Sequence, residues 1–289
     1  MSENYNALKE STKSILQRIK HEDVARKTLL TDKFQARLYA QSVLQKNIYG
    51  KDSNGTPLSE VFEDQKSATD FLIPLIGVWK APWDINFDIL PLPCILKTNH
   101  GCGYNITIRT DIDTDRIKKY RAQLSEWLTI DYSWFNNEPQ YLNIQRCIVG
   151  ENYYNDLRLC QVFCFNGVPT YIATPVGKWN IEDKILHSYQ AVHDINFNLI
   201  RGAKICHFEP HLEIIPANTP LLARRLTLLS EWLSKDLPFV RMDYLVSNNG
   251  KIYFNEFTFS PGAMWLELSP VEFEDEFIEH LTTTLSNEH

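Results

Sequence analysis

Two strand-like runs, FVRMDYLV at 239–246 and KIYFNEFTF at 251–259, meet at a short turn, SNNG. Side chains alternate faces along a strand, so Arg241 and Asp243 share one face of the first run. On the second run Glu256 and Thr258 share a face with Ile252 and Phe254. A four-residue loop at Ser247–Gly250 would pair Arg241 with Glu256. A two-residue loop at Asn249–Gly250 would pair Asp243 with Glu256. Either register puts Arg241, Asp243, Glu256 and Thr258 on one face. Cross-strand partners lie roughly 5 Å apart. Two carboxylates at that spacing repel unless a positive charge stands between them. A divalent cation does this well, and magnesium takes one or two carboxylates together with substrate phosphates. The plainer reading is a solvent-facing strand edge on which Arg241 pairs with Glu256.

A second stretch, ILKTNHGCGYNITI at 95–108, ends one apolar run on Lys97 and begins another after Gly101, Cys102 and Gly103. It is not a P-loop, because the lysine precedes the glycines and no GK[ST] follows. It is not a dinucleotide fingerprint, and the chain carries neither HRD nor DFG. Taken alone it could be a hairpin turn. It also has the parts of a phosphate grip, a cation at a strand end and backbone N–H groups free of Cβ crowding. Together the two hairpins would hold one ATP between two layers.

The rest of the chain narrows the class. It has 289 residues, enough for one large or two small domains. A formal charge of −7 with no basic block argues against nucleic acid as the main partner. The N-terminus is polar, without the apolar core of a signal peptide, and no run approaches the roughly 18 apolar residues of a membrane span. Six cysteines, at 94, 102, 147, 160, 164 and 206, form no CxxC, so zinc is not expected. They read as reduced thiols of a cytoplasmic protein.

Residues 5–47 read mostly helical, with Thr31 as a cap and Phe34, Leu38 and Val43 at near-helical spacing. Prolines break 68–93 into extended structure and turns. A helix follows from about 111, with Ile117, Tyr120, Leu124 and Leu128 inward. Strands are expected at 144–149, 159–165 and 168–173, and an irregular polar stretch, a candidate substrate loop, at 174–218. Thr219 should cap a helix with Pro220 at its first position, and a last helix should span 271–285. The expected organisation is an N-terminal helical and extended region at 1–80, a small subdomain at 81–150 and a large one at 151–289.

The order and spacing of these motifs resemble the ATP-grasp superfamily, to which D-alanine–D-alanine ligases and biotin carboxylases belong. More narrowly, TDKFQARLYAQ, IPLIGVWKAPWDINFDILPLPCILKTNHGCGYNI, VFCFNG and LPFVRMDYLVSNNGKIYFNEFTFSPGAMW resemble the TupA-like ATP-grasp group of teichuronopeptide and other bacterial surface polysaccharides. The resemblance runs over roughly residues 30–270. It implies an α+β ATP-grasp fold, two subdomains gripping ATP behind a shortened N-terminal region.

By the same resemblance, Lys97 contacts the nucleotide phosphates, and Gly101, Cys102 and Gly103 form the loop that closes over them. Arg37 stands where many members carry a second phosphate-binding lysine, and Glu151 matches the acidic residue of the adenine–ribose hinge. Asp243 and Glu256 match the magnesium carboxylates, with Thr258 where many ligases have Asn. Arg241 faces the transferred phosphate. Leu159, Cys160 and Gln161 replace the group's Asp-Tyr-Lys, leaving Arg158 and Lys204 as candidates for the missing lysine's contact. Ser260 would lie near the acceptor, and Trp179 and His193 would reach a sugar.

The implied activity is ATP- and magnesium-dependent joining of a carboxylate to an amine through an acyl phosphate. The carboxylate would be a uronic acid of a bacterial surface or capsular polysaccharide or its precursor. Such chemistry needs cations and positioning rather than a covalent nucleophile, and the chain shows no Ser–His or Cys–His motif. Two other readings stay open: an ATP-binding module without ligase activity, and a sugar-kinase type of phosphotransfer.

Overall fold

The computed structural model describes residues 14–15, 18–19, 21–51, 55–131, 139–176, 189–205, 209–210, 219–261 and 268–286. Two helices open it, α1 (Val24–Thr31) and α2 (Lys33–Asn47). Asp32, not Thr31, caps α2, because its carboxylate accepts from the N–H groups of Phe34 and Gln35. The buried stripe of α2 is Ala36, Ala40 and Leu44, while Leu38 is 45% exposed. The expected bulky stripe is thus displaced. Alanines at i and i+4, followed by Leu44 at i+8, let α2 approach the sheet behind it closely, and Tyr39 and Val43 pack along its flank.

A one-turn helix α3 (Leu58–Val61) leads to a small sheet of β1 (Leu75–Trp79), β2 (Cys94–Thr98), β3 (Asn105–Ile108) and β4 (Ile148–Asn152). Its order is β1-β4-β2-β3, all antiparallel. Helix α4 (Thr114–Thr129) covers it, with Leu124 fully buried and Ile117, Tyr120 and Leu128 packed beside it as their spacing predicts.

The large sheet holds β5 (Arg158–Phe165), β6 (Val168–Val176), β7 (Tyr189–Asp194), β8 (Glu209–Pro210), β9 (Phe239–Val246) and β10 (Ile252–Thr258). The order is β10-β9-β5-β6-β7-β8, antiparallel except for the β7–β8 pair. Asn166 and Gly167, both at positive φ (50° and 74°), make the tight β5–β6 turn. Strand β7 corrects the reading of 174–218 as irregular. Its Gln190 and His193 are 2% and 1% exposed, so both faces are buried and the polar–apolar alternation that marks a strand is missing.

Helix α5 (Thr219–Ser234) already includes Thr219, one residue earlier than expected. It buries Leu222, Leu226, Leu229 and Leu233 against one face of the large sheet. Helix α6 (Val271–Ser286) covers part of the other face, where Phe273 and Phe277 meet Phe163, Phe165, Tyr171 and Phe239.

The first of these cores is shared across the chain. Leu30, Leu44, Leu58, Phe62 and Phe71 pack with Val162, Leu226, Met242, Phe254 and Phe257 in one cluster. Residues on either side of the small sheet therefore build a single core. The covered face of the large sheet changes character along its strands. On β9 the sequence Phe239, Arg241, Asp243 runs from aromatic to charged, and on β5 Phe165, Phe163, Gln161 does the same. The apolar end lies under α6. The charged end faces the small sheet.

Candidate functional site

At the site the hairpin has the second expected pairing, Asp243 opposite Glu256, but it reaches it through a different loop. Ile252 lies opposite Val246 and Phe254 opposite Tyr244, so five residues, 247–251, form the loop. That odd count would place Glu256 opposite Met242, on the core side. A bulge between Phe254 and Glu256 shifts the register by one, and Glu256 instead faces Asp243 while Thr258 faces Arg241. Glu256 and Thr258 therefore do not share a face with Ile252 and Phe254. Those two join Phe257 and Phe259 in the core, and the bulge puts Asn255 and Glu256 together on the site side.

Four cations enter this face and each meets a carboxylate. Arg241 grips Asp243 with two bonds, Nε–Oδ1 at 2.7 Å and Nη2–Oδ2 at 2.8 Å, and also donates to Thr258 Oγ1 at 3.2 Å. Lys33 reaches Glu256 Oε2 at 3.0 Å and donates to the Gly101 carbonyl at 2.6 Å. Lys97 meets Glu151 Oε2 at 2.6 Å and Asn255 Oδ1 at 3.3 Å, joining the two sheets. Arg37 meets the other oxygen of Glu151 at 3.2 Å. Lys33 and Arg37 stand one turn apart on α2, so a single helix face delivers both charges.

These side chains are only 4–22% exposed. A pair at such separation attracts by about 4 kcal/mol at an effective dielectric near 20. Removing both charges from water costs about as much, several kcal/mol per ion. The network therefore contributes little net stability, and its cations remain available to exchange partners.

The two facing acids titrate apart. Burial raises the pKa of Asp243, helped by the charge of Glu256 and only partly opposed by Arg241. Burial also pushes Glu256 upward, but Lys33, Arg241 and Lys97 outweigh it and hold Glu256 below its ordinary value. Lys33 is raised: burial works against its charge, and Glu256 more than compensates. Two facing acids of which one resists ionising are what a bound divalent cation would relieve. Among the described residues no cluster of three or more His, Cys, Asp or Glu could cage a metal by itself. The donor set thus fits magnesium, which one or two carboxylates and substrate phosphates hold.

In the glycine loop Gly103 sits at φ 76°, where a side chain would be strained. Gly101 is needed for closeness: a Cβ there would collide with Thr98 Oγ1. Cys102 is exposed on this loop, while Cys94, Cys147, Cys160 and Cys164 are buried. Burial pushes the Cys94 thiol up to about 11 and the other three to about 12, as inert core residues.

Several expected residues stand elsewhere. His193 is a core residue facing the ring of Phe197, and burial lowers its pKa, so it does not reach out to a sugar. Arg158 is the exposed first residue of β5, and Lys204 pairs through its backbone with Ser269. The Gln161 amide lies beside the Arg241–Asp243 pair, 3.3 Å from the Arg241 guanidinium and 3.4 Å from Asp243 Oδ2, and 3.4 Å from the Gln190 amide. Ser260 lies half-buried just beyond β10. Trp179 and Gly262–Trp265 of SPGAMW fall outside the described residues. Sequence reasoning missed Lys33 and Asn255. The place of Lys33 one turn before Arg37 in DKFQAR puts both on one helix face, but its partners Gly101 and Glu256 are distant in sequence.

A family model described as TupA-like ATPgrasp matches residues 58–282. The chain belongs to the TupA-like ATP-grasp family. The match contains Lys97, Glu151, Arg241, Asp243 and Glu256, whereas Lys33 and Arg37 precede it and reach the site through the fold. No curated protein matches. Among solved structures, the D-alanine–D-alanine ligase of Bacillus anthracis is similar at 17% identity and TM-score 0.46, over 89% of this chain and 66% of that one. An ADP complex of PurK, N5-carboxyaminoimidazole ribonucleotide synthetase, is similar at 12% identity and TM-score 0.43, over 80% of this chain and 45% of that one. An L-amino acid ligase of Bacillus licheniformis is similar at 11% identity and TM-score 0.40, over 75% of this chain and 44% of that one. The TupA-like chain thus spans between 44% and 66% of the length of these three proteins.

Proposed function

We propose that this TupA-like protein is an ATP-dependent carboxylate–amine ligase, joining the two substrates as an amide with release of ADP and phosphate. The observation that carries the reading is the convergence of Lys33, Arg37, Lys97 and Arg241 on Glu151, Asp243 and Glu256 between the two sheets. Phosphates are the natural competitors for these carboxylates. Lys33 exchanges Glu256 for nucleotide oxygens, and Lys97 turns from Asn255 to them while Glu151, held by Arg37, orients it from behind. Arg241, aligned by Thr258, neutralises charge where phosphate and substrate carboxylate meet. Magnesium would lie on Asp243 and Glu256 and would supply Lewis-acid stabilisation there. The loop Gly101–Gly103 closes over the phosphates and keeps water away.

The family resemblance supports a uronic acid of a bacterial surface polysaccharide, or its precursor, as the carboxylate, and an amino acid or related amine as its partner. The reading puts the reaction in the cytoplasm, where ATP is. Among the described residues no helix is long and apolar enough to cross a membrane.

Gln161 on Asp243, where the family often has lysine, favours a second reading: an ATP-binding module without turnover. Release of phosphate and of ADP, measured with magnesium and ATP over a panel of uronic acids and amines, separates the two. Release that needs both substrates and is lost in Glu256→Gln supports the ligase. ADP formed with the sugar alone and without free phosphate supports a kinase, because the phosphoryl group then stays on the sugar hydroxyl. Tight ATP binding without ADP formation on any pair supports the module.

A further inference from the structure

Asn99, two residues before Gly101, is a polar side chain with 0% exposure. Its amide uses both protons and its oxygen. Nδ2 donates to Asp32 Oδ2 at 2.8 Å and to the Gln145 carbonyl at 3.0 Å, and Oδ1 accepts from Cys147 N at 2.8 Å. Its backbone adds two bonds, Asn99 N to Cys147 O at 3.0 Å and Lys33 N to Asn99 O at 2.9 Å. One residue therefore ties together the start of α2, the glycine loop and the chain entering β4.

The tie ends on Asp32, which has a second duty. Its Oδ1 accepts from Phe34 N at 2.8 Å and Gln35 N at 3.1 Å, and its carbonyl accepts from Ala36 N at 2.7 Å. With Lys33 N bound to Asn99 and Asp32 N bound to Thr28 O at 3.2 Å, all four donors that lack a partner within α2, those of Asp32, Lys33, Phe34 and Gln35, are occupied. The helix end is thus closed to an anion, and what α2 offers the cleft is side-chain charge. The next residue after Asp32 is Lys33. Its ammonium bridges Gly101 O and Glu256, which belong to different sheets.

We propose that Asn99 is a positioning residue: through Asp32 it seats Lys33 against the glycine loop and Glu256, so that lysine and loop move as one piece. Two arms, one ending in Nζ of Lys33 and one in the Gly101 carbonyl, are fixed at their bases by a single side-chain pair. The proposal rests on the ATP-grasp ligase reading for its use, but the placement can be tested without nucleotide.

Asp32→Asn and Asp32→Ser both keep a good N-cap for α2. The first turns an amide donor toward Asn99, and the second is too short to reach it. Site-resolved alkylation of Cys102 by iodoacetamide, read by mass spectrometry in ligand-free protein, reports the seating of the loop. Both variants should label Cys102 several-fold faster than wild type and bind ATP about tenfold more weakly. Wild-type labelling rates in the two variants would overturn the proposal. If wild type binds no ATP, the ligase reading fails, and the alkylation series still decides the role of Asn99.

Discussion

Glu256 faces Asp243 across the β9–β10 pair only because Asn255 is bulged out beside it. The bulge residue is also used, since its Oδ1 takes a bond from Lys97 at 3.3 Å. The bulge thus keeps a carboxylate away from the aromatic core and links the two sheets at the same point. Deleting Asn255 removes the bulge and leaves an unbroken alternation in which Glu256 directly follows Phe254 and still faces Asp243. The expected result is folded protein, measured by circular dichroism and gel filtration, that has lost the Lys97–Asn255 bond. Asn255→Ala, which keeps the bulge, should fold and lose the same bond.

Glu256→Gln leaves Lys33, 14% exposed, without its carboxylate. Breaking such a pair from one side should cost about 1–3 kcal/mol, because the remaining charge stays desolvated. Adding Lys33→Met should recover part of that loss. Urea denaturation of the two single variants and the double variant gives the coupling directly. Additive losses would show that Lys33 and Glu256 do not act as a pair.

Lys33→Met and Lys97→Met should each weaken ATP binding by about 10–100-fold, the equivalent of about 1.4–2.7 kcal/mol of charge-assisted bonding. Arg37→Met should do less, because Lys97 still holds Glu151 at 2.6 Å. Titration of ATP with magnesium into each variant measures this order.

His100 is 2% exposed, and burial, with the charge of Arg146, holds its imidazole down to about 4 from 6.5. The sign follows from linkage: above pH 6.5 the imidazole is neutral in both folded and unfolded chains. Below it the unfolded chain binds a proton that the folded chain refuses, so stability falls until about pH 4. The full loss should be about 3 kcal/mol. His100→Gln should flatten this part of the profile, and the difference between the two denaturation curves isolates it from the acids.

Gly101→Ala should cost roughly 1–3 kcal/mol, since its Cβ meets Thr98 Oγ1 and the ring of Tyr104. Thermal unfolding should show the loss, with faster Cys102 alkylation in the same variant.

Much of the fold was legible where local pattern decides it. Ile117, Tyr120 and Leu124 announce α4, and Asn166-Gly167 announces the β5–β6 turn. The site carboxylates Asp243 and Glu256 were legible as a facing pair in one of the two registers, yet the five-residue loop and the bulge that produce it were not, because alternation assumes an unbroken strand and Asn255 breaks it. Strand β7 was hidden by Gln190 and His193, which are buried through bonds to distant partners. Lys33 was missed for a related reason. Its role depends on Gly101 and Glu256, 68 and 223 positions away, and no spacing within DKFQAR reveals them.

The core that joins Leu30, Leu44 and Phe71 to Met242, Phe254 and Phe257 has a kinetic consequence. The small sheet and α4 draw their partners from a span of about eighty residues and can form early. The larger core must wait for the β9–β10 hairpin, and closing so long a loop is slow. Until then Ala36, Ala40 and Leu44 lie open on α2. An emerging chain would thus pass through a stage with a folded small sheet and bare N-terminal helices, the stage at which a chaperone would have most to hold.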